Sequence, residues 1–193
     1  MARALAVAAL SLLCFAIGCG RDRGPITVGS KNFLEQVLLG EIAAQHLEHR
    51  LGVRVARKLN LGGTLLAHAA LVKGDIDLYP EYLGTAATAV LDLPASSNAE
   101  ALLAQVREQY DKRFQLRWLD PLGFNNTFAM VIRTADADHL KIHSLSEAAR
   151  SPSGWMLGVG YEFQQRPDGL PGMQRTYHLP LQGKPKVMDL GLL

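Results

Sequence analysis

Two tyrosines bracket a Pro-Glu step in DLYPEYLGTA, residues 77–86, where an apolar run stops. With 5 Tyr in 193 residues, Tyr79 and Tyr82 raise the question of what they hold. A phenol offers a flat, electron-rich face and a hydroxyl that both donates and accepts. The plainer readings stand beside a binding role: Tyr79 ends a strand and fits core or rim, and Tyr82 after Pro-Glu fits a ring that packs a helix start. The remaining chemistry-bearing residues do not assemble a reaction centre. Ser30, His68 and Asp77 are the residue types of a hydrolase, yet no nucleophile elbow surrounds the serine. His46 and His49, three apart on a polar helix face, have no third ligand to share a metal with. GGT at 62–64 lacks the Lys-Ser/Thr pair of a phosphate loop. The expectation is a binding protein with no catalytic residue, no metal and no cofactor.

The elements that must position these residues alternate. ITVGS (26–30) is a compact strand, and Asn32 with Glu35 resembles a capping box opening a helix to about Arg50. Phe33, Val37, Ala44, Leu47 and Leu51 share one face of it. Val53 to Leu59 reads as a second strand, NLGGT as a glycine turn, and Thr64 to Lys73 as a helix closed by Gly74. Asp75 to Tyr79 is a third strand, and Pro80 suits the first turn of a helix running to about Leu91. Ala99 to Lys112 reads as helix and QLRWL (115–119) as strand. This order predicts an α/β sheet with helices on both faces and a ligand beyond the carboxyl ends of the strands. TFAMVIR (127–133) alternates as a strand crossing into a second lobe, Ser144 and Glu147 open a short helix, and MLGVG (156–160) is a strand. VMDLGLL (187–193) begins another element, in which the sequence stops.

Composition bounds the partners. The chain is 48% hydrophobic, enough to fill a core, and carries a formal charge of +2 with the two signs interspersed. No polybasic stripe exists to grip a nucleic-acid backbone, so nucleic acid is not an expected partner. Arg3 precedes an apolar run from Ala4 to Ile17, too short for a bilayer and the length of a signal-peptide core, so residues 1–18 are expected to be removed. Ala16-Ile17-Gly18-Cys19 resembles a lipobox, with Ala16 where Leu is usual, and Cys19 is expected to be lipidated and anchored to a membrane surface. Cys14 falls within the signal, which leaves no second cysteine for a disulfide or a cysteine metal site.

Four segments in order resemble one family: VGSKNFLEQVLLGEI, LGGTLLAHAALVKGDIDLYPEYLGTA, WLDPLGFNNTFAMVIR and GYEFQQRPDGLPG. They are similar to the substrate-binding proteins of ABC importers for glycine betaine, choline and related quaternary ammonium compounds, and the likeness runs from Ile26 to Leu193. The resemblance implies a type II periplasmic-binding-protein fold, with a first lobe over 26–122 and a crossing strand and partial second lobe over 123–193. It implies an exported, lipid-anchored receptor that delivers a quaternary ammonium osmolyte to permease subunits. A trimethylammonium group has no N–H to donate, so ring faces surround its charge. By the match, Tyr82 is a cage wall with Thr85 beside it, and Asn126 and Phe128 contribute a carbonyl and a second ring, Phe128 standing where Tyr is common. By the same match Lys31 and Arg166 are the cationic pair that holds a betaine carboxylate, a pattern favouring a zwitterion over choline; the plainer readings are a solvated loop charge for Lys31 and an Arg166 that neutralises Asp168 or Glu162. The family's return crossing and remaining cage tyrosines would lie beyond Leu193. Loss of two such walls predicts an affinity about 30- to 1000-fold weaker, and the alternative is a non-transporting fragment or sensor with little affinity.

Overall fold

The computed structural model describes residues 24–152 and 154–193; the expected signal segment 1–18 and Cys19 lie outside the described residues. Strands β1 (Ile26–Gly29) and β2 (Val55–Lys58) pair in parallel, Ile26 opposite Val55 and Gly29 opposite Lys58. Helix α1 (Leu34–Leu51) makes the crossover between them. The third expected strand joins the other side of β1 through a single parallel bridge, Val28 to Leu78, fixed by Asp77 N–H to Thr27 O and Gly29 N–H to Leu78 O, both 2.8 Å.

Helix α1 buries Gln36, Gly40 and Ala44, a line of residues four apart, against Val28 and Val55. The expected apolar face is therefore rotated: Leu51 at its end is 58% exposed. Gly40 explains why. A Cβ there would come within 2.8 Å of Leu59 Cδ2, so the helix turns its small residue to the strands and lies close to them. The expected capping box does not form. Phe33, whose ring has no acceptor, stands at the cap position instead of Asn32, and the Glu35 carboxylate turns away to Tyr82 and Asn126.

Helix α2 (Thr64–Lys73) has the expected bounds, closed by Gly74 at φ 76°, a left-handed conformation that favours glycine. The expected helix from Pro80 starts later. Tyr82 is extended, at φ −104° and ψ 134°, and helix α3 (Leu83–Thr85) follows it and widens into a π-helical turn over Ala86–Val90. The Tyr82 N–H is held by the Glu81 carboxylate at 2.7 Å instead of entering a helix. Helix α4 (Ala99–Phe114), capped by Asn98 onto Ala101 N–H, lays Leu102, Val106 and Tyr110 against Ala86, Ala87 and Leu91.

The expected strands at 115–119 and 127–133 are not formed. Gln115 takes a left-handed φ of 55° as the C-cap of α4, and Val131 is 90% exposed. A strand exists through its partners, and among the described residues no strand pairs with either stretch. Past the second of them come α5 (Thr134–Leu140) and α6 (Leu145–Ala148), the latter capped as expected by Ser144 onto Glu147 N–H. Strands β3 (Gly158–Val159) and β4 (Lys186–Val187) pair in parallel around α7 (Tyr161–Gln165) and α8 (Leu170–Tyr177), and Leu190–Leu192 ends in a 3-10 turn. Ile142, Leu157, Val159, Met173 and Leu179 form their core. The architecture is mixed α/β in two parts. A cleft of about 2840 Å³ lies where Lys31, Thr64 and Tyr79, at the carboxyl ends of the first three strands or just past them, face Glu162 and Arg166.

Candidate functional site

The floor of the cleft is an ion pair. β1 delivers Lys31 into the interior, where it is 1% exposed, and its backbone N–H meets the Gln36 amide oxygen at 3.3 Å. The ammonium donates to Glu81 Oε1 at 2.5 Å and to Thr64 Oγ1 at 3.2 Å. Glu81 is saturated in turn: its Oε1 also takes the Tyr82 N–H, and its Oε2 takes the Tyr79 hydroxyl at 2.9 Å. Tyr79 is thereby a buttress of the floor. Its phenol is pushed far up by burial, with the nearby Glu81 charge adding to it.

Above this floor stands the Tyr82 ring. Lys31 Nζ lies 4.8 Å from its centroid and 6.0 Å from that of Phe33, and the two rings stack with centroids 6.2 Å apart at 21°. The Tyr82 hydroxyl donates to Glu35 Oε1, which also accepts from Asn126 Nδ2 at 2.9 Å. Burial, followed by the bond to Glu35, pushes the Tyr82 phenol up to about 12, so it stays protonated and neutral at physiological pH.

The opposite wall is carried by the segment around α7. Arg166 donates from Nη1 to Thr85 Oγ1 at 2.9 Å and clasps Asp168 with Nε and Nη2 at 2.9 and 2.6 Å. Burial works to raise Asp168, but the guanidinium outweighs it and holds the carboxyl below its usual value. Arg166 also covers the Phe128 ring at 5.0 Å, and Phe163 meets that ring edge-on at 4.8 Å. Glu162 Oε1 accepts the N–H of Thr64 at the start of α2.

All six residues singled out from the sequence, Lys31, Tyr82, Thr85, Asn126, Phe128 and Arg166, line this cleft. Their partnerships differ from what the resemblance implies in two respects: Lys31 and Arg166 are each already matched by a carboxylate, for Arg166 the Asp168 of the plainer reading, and Asn126 engages Glu35 through its side-chain amide. Sequence reasoning missed Glu35, Gln36, Thr64, Glu81 and Glu162. Glu81, an acid between two tyrosines, and Gln36, an amide on the buried line of α1, carried a legible signal. Glu162 carried none, since it meets Thr64 across 98 residues. Gln36 is fully buried, and its amide donates toward the Tyr82 phenol, working against the upward push of burial and Glu35.

A cleft between two α/β parts, walled by aromatic rings and paired charges, defines a class of protein: a small-molecule binding protein. The chain belongs to the OpuAC family, the substrate binding domain of ABC-type glycine betaine transport systems, whose pattern matches residues 24–192. That is a transport family and not an enzyme family. Among its relatives, the ergothioneine transport permease/ergothioneine binding protein EgtU of Helicobacter pylori (strain G27) is 34% identical over 172 residues, covering 89% of this chain and 30% of that protein. The glycine-betaine-binding protein of Pseudomonas aeruginosa PAO1 is 34% identical over 97% of this chain and 63% of its own length. The solved apo structure of YehZ from Escherichia coli superposes with a TM-score of 0.52 at 32% identity, covering 86% of this chain and 60% of that one. The chain thus spans between about a third and two thirds of the relatives it matches. Among the described residues no helix is long and apolar enough to cross a membrane.

Proposed function

We propose that this protein is the extracytoplasmic solute-binding component of an ABC transporter, taking glycine betaine or a related quaternary ammonium osmolyte and handing it to the permease. It catalyses no reaction. Its N-terminal segment directs export, and a lipidated Cys19 tethers it to the membrane. The observation that carries this reading is the stacked Phe33–Tyr82 wall, whose phenol is kept neutral and anchored by Glu35 in a cleft that belongs to a betaine-binding family. Ring faces attract a cation that cannot donate a hydrogen bond.

Titration calorimetry with glycine betaine, choline, carnitine and proline betaine tests it. Heat is expected from at least one, and Tyr82→Ala should weaken that ligand about 5- to 30-fold, the equivalent of about 1–2 kcal/mol for one desolvated cation–π contact. Absence of heat from all four rejects the reading. A second reading, a sensor or remodelled fragment with little affinity, draws on one feature: the Tyr82 and Phe128 faces already carry Lys31 and Arg166. The same titration separates the two.

A further inference from the structure

The two cations at the centre of the cleft are matched, Lys31 by Glu81 at 2.5 Å and Arg166 by Asp168 at 2.6 Å. Two carboxylates at the site, Glu35 and Glu162, form no ion pair among the described residues. Glu35 is engaged by neutral donors, Tyr82 and Asn126. Glu162 differs, because its oxygen takes the backbone N–H of the first residue of α2, a ten-residue helix whose N-terminal end favours an anion. Gly63 makes room for it: a Cβ at that position would lie 2.8 Å from Glu162 Oε1. The neighbouring groups are donors suited to a carboxylate. Lys31 Nζ reaches the same Thr64 through its hydroxyl.

We infer that Glu162 is a specificity-determining residue: its carboxylate occupies the place a ligand's own carboxylate would take, so the cleft prefers a quaternary ammonium compound of net charge +1 to a zwitterion. The inference rests on the proposed function. A ligand carboxylate must displace Glu162 from Thr64 or settle beside a like charge, whereas a ligand ending in a neutral hydroxyl does neither. The family resemblance implies the opposite preference, for a zwitterion, because it takes Lys31 and Arg166 as a cationic pair free to hold a carboxylate.

Calorimetric titration of the full chain with choline and with glycine betaine at low ionic strength tests this, on the wild type, Glu162→Gln and Gly63→Ala. Glu162→Gln removes the charge at nearly constant size. Gly63→Ala keeps the charge and pushes the flexible carboxylate off Thr64, the backbone φ of −76° being open to any residue. The wild type should favour choline. Both substitutions should move the affinity ratio toward betaine, by about tenfold in Glu162→Gln, the effect of a like charge a few ångströms away and partly screened. An unchanged ratio in both variants, with choline still bound, overturns the inference and leaves the proposed function standing. No heat from any quaternary ammonium compound in the three proteins overturns the proposed function and the inference with it. Should one variant fail to fold, the other decides between these results.

Discussion

Replacing Glu81 with Gln should destabilise the fold by about 3 kcal/mol or more, because it strands a buried ammonium. Lys31 is 1% and Glu81 6% exposed, so water cannot replace what is lost. Glu81 serves three donors with two oxygens: the Lys31 ammonium, the Tyr82 N–H and the Tyr79 hydroxyl. A glutamine offers one acceptor oxygen, leaving Lys31 with Thr64 alone or Tyr79 with nothing. Lys31→Met should cost a similar amount, since Glu81 then keeps only its two neutral donors. In Lys31→Met/Glu81→Gln no unpaired charge remains, and the double variant should lose less than the sum of the singles by about 1.5–3 kcal/mol. Urea unfolding with a common m-value measures all four corners of the cycle. Additive effects, with each single variant costing under about 1 kcal/mol, are the behaviour of a solvated surface pair and would refute the buried floor.

Other expectations follow from single contacts. Tyr82→Phe keeps the ring face and gives up the bond to Glu35, so quaternary ammonium affinity should change less than about threefold, whereas Tyr82→Leu should lower it about 5- to 30-fold by calorimetry. Gly29→Ala would set a Cβ 2.5 Å from Ile76 Cδ1, and Ile76 is 1% exposed; overpacking of about 1–3 kcal/mol should appear as a lowered urea midpoint at unchanged m. Burial, aided by the Arg113 charge, holds the His68 imidazole below its ordinary 6.5, so the unfolded chain takes up that proton first. This contribution to stability is present above pH 6.5 and is lost as pH falls toward the lowered folded value; a thermal-melt pH series should show that slope in the wild type and not in His68→Phe.

How much was legible in the sequence depends on whether a feature was local. Helix α2 and its Gly74 stop follow from adjacent residues, as does the Ser144 cap, and both appear where the pattern put them. The six residues that line the cleft were named through motifs that the family resemblance covers, each short enough to read from adjacent residues. Partnership was not legible, since Lys31 and Glu81 lie 50 residues apart, Thr85 and Arg166 81 apart. The same limit misplaced the strands at 115–119 and 127–133: alternation states which faces a strand would have, and only a neighbouring edge makes it one. Around Tyr82 a local rule lost to a tertiary one. Pro80 is well suited to begin a helix, but the Glu81 carboxylate holds the Tyr82 N–H and keeps that residue extended, which is what turns its ring to the cleft.

The contacts across the cleft differ in kind from those inside each part. None of the three buried apolar clusters mixes residues from 26–118 with residues from 142–187. What joins the two sides is polar, Thr64 to Glu162, Thr85 to Arg166 and Thr88 to Asp168, and a fourth bond, Glu35 to Asn126, holds the segment between them. A hydrogen bond of this type contributes about 0.5–1.5 kcal/mol because water replaces it when it opens, whereas uncovering an apolar cluster loses about 25 cal/mol for each Å² exposed. Separation of the walls therefore exchanges a few polar contacts for hydrated groups and leaves both cores intact. Three of these four contacts come from the segment 162–168. A ligand that competes for Thr64, Thr85 or the ring faces acts on those same bonds, so what the cleft binds and how firmly its walls are held together are set by one short stretch around α7.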